Sequence, residues 1–150
     1  MSLVLNDKEI DSQIEALLPE ITAIRRAIHQ NPELSGSEKE TARLVYDNLE
    51  KTGLNPSFHL DKTAVTALLN NGPGKTIVLR ADMDALPIEE QTGLAFTSKK
   101  KGIMHACGHD LHTAVLLGAA SILNKIKNRW KGKILFLFQP SEEVEPGGAY

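Results

Sequence analysis

The stretch Met104-His105-Ala106-Cys107-Gly108-His109-Asp110-Leu111-His112 concentrates three histidines, one thiol and one carboxylate within eight residues. Cys107 and His109 stand two positions apart, so from a turning loop both side chains can reach one metal ion, and Gly108 permits the bend between them. The apolar run from Ala114 to Leu123 follows directly and has helical spacing. A helix starting there aims its N-terminal N–H groups back at the loop, which favours a thiolate or a bound anion. The leading reading is a metal-bound cysteine. With a single Cys in the chain, an internal disulfide is excluded.

Two other segments carry acids where a sheet would present them. Thr-Ile-Val-Leu-Arg-Ala at 76–81 leads into Asp82-Met83-Asp84, and Lys-Ile-Leu-Phe-Leu-Phe at 133–138 leads into Gln139-Pro140-Ser141-Glu142-Glu143. Continuous apolar runs of this length, separated by a helix over 111–128, predict neighbouring strands of a sheet covered on both faces. The expected fold class is α/β. In such sheets ligands gather beyond the carboxyl ends of the strands. Asp82 and Asp84, Cys107 and His109, and Glu142 and Glu143 are therefore expected to converge at one sheet edge. A cation there would polarise a carbonyl and acidify water, and a carboxylate would move the proton, which is the chemistry of metal-assisted hydrolysis.

The remaining chain supplies the elements that hold this edge. Ile10, Ile14, Leu17, Leu18, Ile21, Ile24 and Ile28 make one apolar stripe, which predicts a helix over 7–30 with Pro19 either kinking it or opening a second helix. Asn31-Pro32 ends it. Ser37 with Glu40 predicts a capping box before a second helix whose buried face is Ala42, Val45, Tyr46 and Leu49 and which stops near Gly53. Thr63 to Leu69 reads as a strand and Asn70 to Gly74 as a turn. Gly74-Lys75-Thr76 is not a phosphate loop, because position 69 is Leu where that motif needs Gly and because a strand follows it.

Composition bounds the function. The chain has 150 residues, 41% hydrophobic and 24% charged, which suits one globular domain. A net charge of -2 and a pI near 6.2 give no reason to expect nucleic acid or an anionic membrane as partner. Lys99-Lys100-Lys101 reads as a solvated loop, since no aromatics interleave it. No run approaches the roughly 18 apolar residues of a membrane span. The N-terminus lacks the basic-then-apolar order of a signal peptide, so a cytoplasmic location is expected.

Taken together, Arg25-Arg26-Ala27-Ile28-His29-Gln30-Asn31-Pro32-Glu33-Leu34, Arg80-Ala81-Asp82-Met83-Asp84-Ala85-Leu86-Pro87, Cys107-Gly108-His109-Asp110 with His112-Thr113, and Phe138-Gln139-Pro140-Ser141-Glu142-Glu143 resemble the amidohydrolase branch of the aminoacylase and carboxypeptidase metallopeptidases. Hippurate hydrolases, N-acyl-amino-acid amidohydrolases, N-acetyl-diaminopimelate deacetylases and auxin-conjugate hydrolases belong to that branch. The resemblance implies a three-layer zinc-exopeptidase-like domain with a mostly parallel central sheet between helices. It implies Cys107, His109 and Glu143 as metal ligands, Glu142 as general base and Asp84 as support behind the ligands. It also implies two divalent ions, drawn from Zn, Mn, Ni or Co, and a small N-acyl amino acid as substrate. Members of the family are longer and carry further histidine ligands and an inserted lid domain used for dimerisation. Residues 1–150 are accordingly expected to be the N-terminal part of a catalytic domain, incomplete at its C-terminus, with a partial metal site and little turnover alone.

Each residue also has a plainer reading. Cys107 could be a small core residue, His109 a helix-start hydrogen-bonding group, Asp82 and Asp84 turn caps, and Glu142 and Glu143 a solvated pair. His105 and His112 read as structural, and His29 as a pin between the first helix and the next loop. Two alternatives to the metallohydrolase remain. One is a hydrolase with Cys107 as nucleophile and a histidine as base. The other is a non-catalytic remnant whose exposed apolar surface favours self-association into a homo-oligomer.

Overall fold

The computed structural model describes residues 7–149. The first six residues, on which the signal-peptide reading rests, lie outside the described residues. The elements in chain order are α1 (Asp7–Gln30), α2 (Lys39–Lys51), β1 (Pro56–His59), β2 (Ala64–Asn71), β3 (Thr76–Asp82), α3 (His109–Lys125) and β4 (Gly132–Gln139). Pro19 sits inside α1, which runs through it as one helix.

The strands form one sheet in the order β1-β2-β4-β3. β3 and β4, the two continuous apolar runs, pair in parallel with Ile77 beside Ile134 and Ala81 beside Phe138. α3 provides the crossover that a parallel pair needs. The sheet as a whole is mixed, not mostly parallel, because β4 also pairs antiparallel with β2 and β2 antiparallel with β1. β1 had no signature in the sequence: it is four residues long and begins with Pro, a residue confined to strand edges and starts. Its Phe58 stacks on Tyr46 of α2 with ring centroids 4.4 Å apart.

The core lies between the sheet and α2 and α3. Val65, Ala67, Leu69, Ala81, Ile134, Phe136 and Phe138 face Ala42, Val45 and Leu49 of α2 and Leu116, Leu117 and Ala120 of α3. α1 packs outside, chiefly on α3. Among the described residues no helix covers the second sheet face, where Leu68 and Val78 remain 49% and 54% exposed.

Glycine is required where β4 begins beside β3. At Gly132, with φ of 108°, an added Cβ would fall 2.6 Å from the Lys75 carbonyl oxygen.

The capping box is not formed. Glu38 occupies the N-cap of α2 without a side-chain cap bond. The Glu33 carboxylate instead accepts hydrogen bonds from the Thr41 N–H at 2.8 Å and the Thr41 hydroxyl at 2.9 Å. The Glu38 side chain is turned away to accept from the Ser141 N–H at 2.7 Å, which ties α2 to the loop after β4.

Candidate metal centre

The carboxyl ends of β3 and β4 and the start of α3 meet at one edge of the sheet. The backbone N–H of Met83 donates to the Gln139 carbonyl at 3.0 Å, keeping the two post-strand turns together. The Thr113 hydroxyl of α3 donates to the Asp82 carbonyl at 2.9 Å. α3 begins at His109, two residues earlier than the spacing predicts, and Gly108 holds its N-cap with φ of 87°. A residue with a side chain would be strained at that angle, so the bend between Cys107 and His109 depends on glycine.

At this edge one ligand atom each from Cys107, His109 and Glu143 lie within 4.8 Å of one another, the only such group among the described residues. Cys107 is exposed, His109 buried and Glu143 half-buried. His109 Nδ1 donates to Asp84, with the backbone carbonyl oxygen at 3.0 Å and Oδ1 at 3.1 Å. That fixes the tautomer and leaves the lone pair on Nε2. Nε2 faces Glu142 and Glu143, 3.8 Å from a carboxylate oxygen of each. Asp84 Oδ2 meanwhile accepts from Ser35 Oγ at 2.7 Å and from the Glu143 N–H at 2.9 Å.

The electrostatics follow from these contacts. Burial raises the Asp84 carboxyl, but hydrogen bonds from His109, Glu143 and Ser35 outweigh it and hold Asp84 well below the usual carboxylate range. The bond to Asp84 raises His109 against the opposing effect of burial. The neighbouring Glu143 carboxylate, then burial and the charges of Glu142 and Asp84, push the Cys107 thiol above its ordinary value. Carboxylates that disfavour a free thiolate are suited to a cation that binds one.

The donor set fits a divalent metal. Sulfur, imidazole and carboxylate are ligands zinc and its neighbours accept, and the pose of His109 is the one a ligating histidine adopts when its other nitrogen donates to a carboxylate or carbonyl. Glu143 Oε1 is buried without a hydrogen-bond partner, as a carboxylate prepared for a cation would be.

A cleft of about 510 Å³ opens beside the cluster, lined by Asp82, Cys107, His109, Leu111, His112 and Glu142 among others. Glu142 reaches into it with 41% of its side chain exposed. Asp82 stands apart from the ligand group. Arg80 Nε donates to its Oδ1 at 2.9 Å, and its backbone N–H donates to His112 Nδ1 at 3.2 Å. His105 is buried with both ring nitrogens unpartnered, and burial lowers it to about 4. Ser35, which donates to Asp84, and Glu38, which accepts from the Ser141 N–H, are contacts that sequence reasoning did not place at this edge. Ser35 directly follows the Pro32-Glu33-Leu34 segment, which was its one available signal.

An α/β sheet that gathers sulfur, imidazole and carboxylate donors beyond two parallel strands defines the class, that of the metal-dependent exopeptidase folds. Residues 78–150 match the model of peptidase family M20/M25/M40. The chain is 44% identical over 146 residues to an N-acyl-L-amino acid amidohydrolase of Geobacillus stearothermophilus, covering 97% of this chain and 40% of that protein. It is 47% identical over 146 residues to an N-acetyl-L-cysteine deacetylase of Bacillus subtilis, covering 97% of this chain and 35% of that one. Its fold superposes with a TM-score of 0.84 on a Bacillus subtilis protein described as a dinuclear metal-binding peptidase of the M20 family, at 43% identity over 89% of this chain and 38% of that chain. The chain is similar to the M20 metallopeptidases and aligns with the N-terminal portion of their amidohydrolase members. It spans 35% to 40% of the length of the two curated relatives named.

Proposed function

We propose that this chain is the N-terminal part of the catalytic domain of a metal-dependent amidohydrolase that cleaves the amide bond of N-acyl amino acids. Cys107, His109 and Glu143 would hold the metal, Glu142 would be the general base and Asp84 would orient His109. The observation that carries this reading is the convergence of the three ligand atoms within 4.8 Å, behind which Asp84 fixes the tautomer of His109. The relatives' names as amidohydrolase and deacetylase support the reaction class, and the description of a dinuclear metal-binding neighbour supports a second ion.

When bound, the divalent ions supply polarisation of the amide carbonyl and acidification of water. The chain's own residues do the rest. Glu142, exposed beside the ligand group, takes a proton from the attacking water and returns it to the leaving amine. Its neighbour Glu143 is turned inward, its N–H donating to Asp84, so adjacent carboxylates serve two roles. The raised Cys107 thiol argues against a cysteine nucleophile, which needs a thiolate without a cation.

The test is elemental analysis of protein purified without chelator, with hydrolysis of a panel of N-acetyl and N-benzoyl amino acids by a full-length relative and its Glu142→Gln counterpart. Bound divalent metal and loss of turnover with metal content intact are expected. Protein free of metal, or turnover that survives the substitution, contradicts the assignment.

A further inference from the structure

Cys107 is exposed, so something other than its own packing must set where its sulfur lies. The span His105 to Gly108 is held from both ends. At one end Leu86 and Met104 exchange backbone hydrogen bonds of 3.0 Å each, closing the neck of the loop between them. At the other, Asp110 in the first turn of α3 is fully buried. Asp110 Oδ2 accepts from His29 Nδ1 at 2.8 Å and from Arg25 Nε at 2.7 Å, both on α1. His29 Nε2 donates in turn to Glu90 Oε1 at 3.1 Å, and Glu90 lies within the loop whose neck is Leu86 and Met104. Glu90 Oε2 also accepts from the Ser98 N–H at 2.6 Å. The side chains of His29, Asp110 and Glu90 are 3%, 0% and 4% exposed, which limits access of solvent to these contacts.

We infer that the buried chain Glu90–His29–Asp110, anchored by Arg25, is a clamp that positions Cys107 and His109 for the metal. It rests on the site reading above and goes beyond it, because none of its members belongs to the ligand group. Each ring nitrogen of His29 faces a carboxylate, so the imidazole bridges the 86–104 loop to α3. Asp110 is bonded to His109 in sequence, so a shift of this end moves the ligand directly. Cys107, three residues before Asp110 on a span already fixed at Met104, then has little freedom. Glu90, Arg25, His29 and Asp110 are positioning residues and touch no reacting atom.

The test uses the full chain, with Zn²⁺ affinity read by competition with a chromogenic chelator and the geometry of the site read from the absorption of the Co²⁺-substituted protein. Asp110→Asn keeps the shape of the side chain and removes its charge. It is expected to weaken Zn²⁺ binding about 10-fold or more, within the range found when supports behind ligands are altered, and to change the thiolate-to-Co²⁺ band. Glu33→Gln is the control, since Glu33 is buried to a similar degree and caps α2 instead. It should leave affinity and spectrum within about twofold of the parent. If Asp110→Asn does not fold, Glu90→Gln at the outer end of the clamp carries the same expectation. Folded variants with parental affinity and spectrum overturn the inference, as does an equal loss in Glu33→Gln, which would mark general destabilisation. A parent chain that binds no Zn²⁺ overturns the site reading itself and the inference with it.

Discussion

Replacing Asp84 with Asn isolates the contact that orients His109 in the proposed metal centre. The carboxylate is 1% exposed and serves two sides: Oδ2 receives Ser35 and the Glu143 N–H, and Oδ1 receives His109. An amide has one oxygen. Because two donors converge on the Oδ2 position, the oxygen belongs there, which turns the NH₂ group toward His109 Nδ1. That nitrogen is itself a donor, held also by the Asp84 carbonyl at 3.0 Å. Either the two donors oppose each other, or the ring changes tautomer and protonates the Nε2 that should face the metal. Outer supports of this kind are worth about 10–100-fold in metal affinity, or about 1.4–2.8 kcal/mol at 1.4 kcal/mol per tenfold. Fold stability should fall by about 2 kcal/mol, because a buried donor loses its charged acceptor. Chelator competition measures the first quantity and urea denaturation of the metal-free chain the second. Parental Zn²⁺ affinity in a folded Asp84→Asn chain would refute the view that this carboxylate orients His109.

Metal affinity should rise steeply with pH, since Cys107 and His109 are both raised and each must lose its proton before binding; affinity that is flat from pH 6 to 9 would contradict their joint ligation. In the metal-free chain the depressed Asp84 stabilises the fold above the ordinary carboxyl value of 3.8 and loses that contribution as pH falls through its folded value. The raised His109 stabilises below 6.5 and loses its contribution as pH rises through its folded value. Urea midpoints across pH 2 to 9 should therefore decline at both ends. Alkylation of Cys107 in the metal-free chain should be slow for an exposed thiol and slower still with Zn²⁺ added, and rapid modification unaffected by Zn²⁺ would revive the nucleophile reading. Phe136→Ala, at a fully buried position in the central strand, should cost about 3–5 kcal/mol by urea denaturation, and a cost under about 1 kcal/mol would mean the core is not built around β4.

How much of this was legible in the sequence depended on whether the signal was local. β3 and β4 announced themselves as neighbouring strands because both are continuous apolar runs, while a mostly parallel sheet was implied only by the family resemblance. The antiparallel β2 was visible as a strand, but nothing in its residues told its direction, and β1 was too short and too proline-marked to register. The capping box failed because Ser37 and Glu40 had a competitor outside the motif, the Glu33 carboxylate, which reaches Thr41 from eight positions away. Of the proposed ligands, Cys107 and His109 stood out through their spacing, whereas Glu143 was implied only by the family resemblance. The partners of His29, read in the sequence only as a pin between the first helix and the next loop, did not stand out, since it meets Asp110 across 81 positions and Glu90 across 61, and such contacts exist only once the chain is folded. His112 also gained a clear place only from the coordinates, as the acceptor for the Asp82 N–H on the rim of the cleft.

X-ray absorption at the zinc edge of the Zn²⁺-loaded chain tests the metal centre most directly. One sulfur scatterer at about 2.3 Å with nitrogen and oxygen scatterers at about 2.0–2.2 Å is expected, with loss of the sulfur shell in Cys107→Ser. A first shell of nitrogen and oxygen alone in the parent chain would contradict this centre.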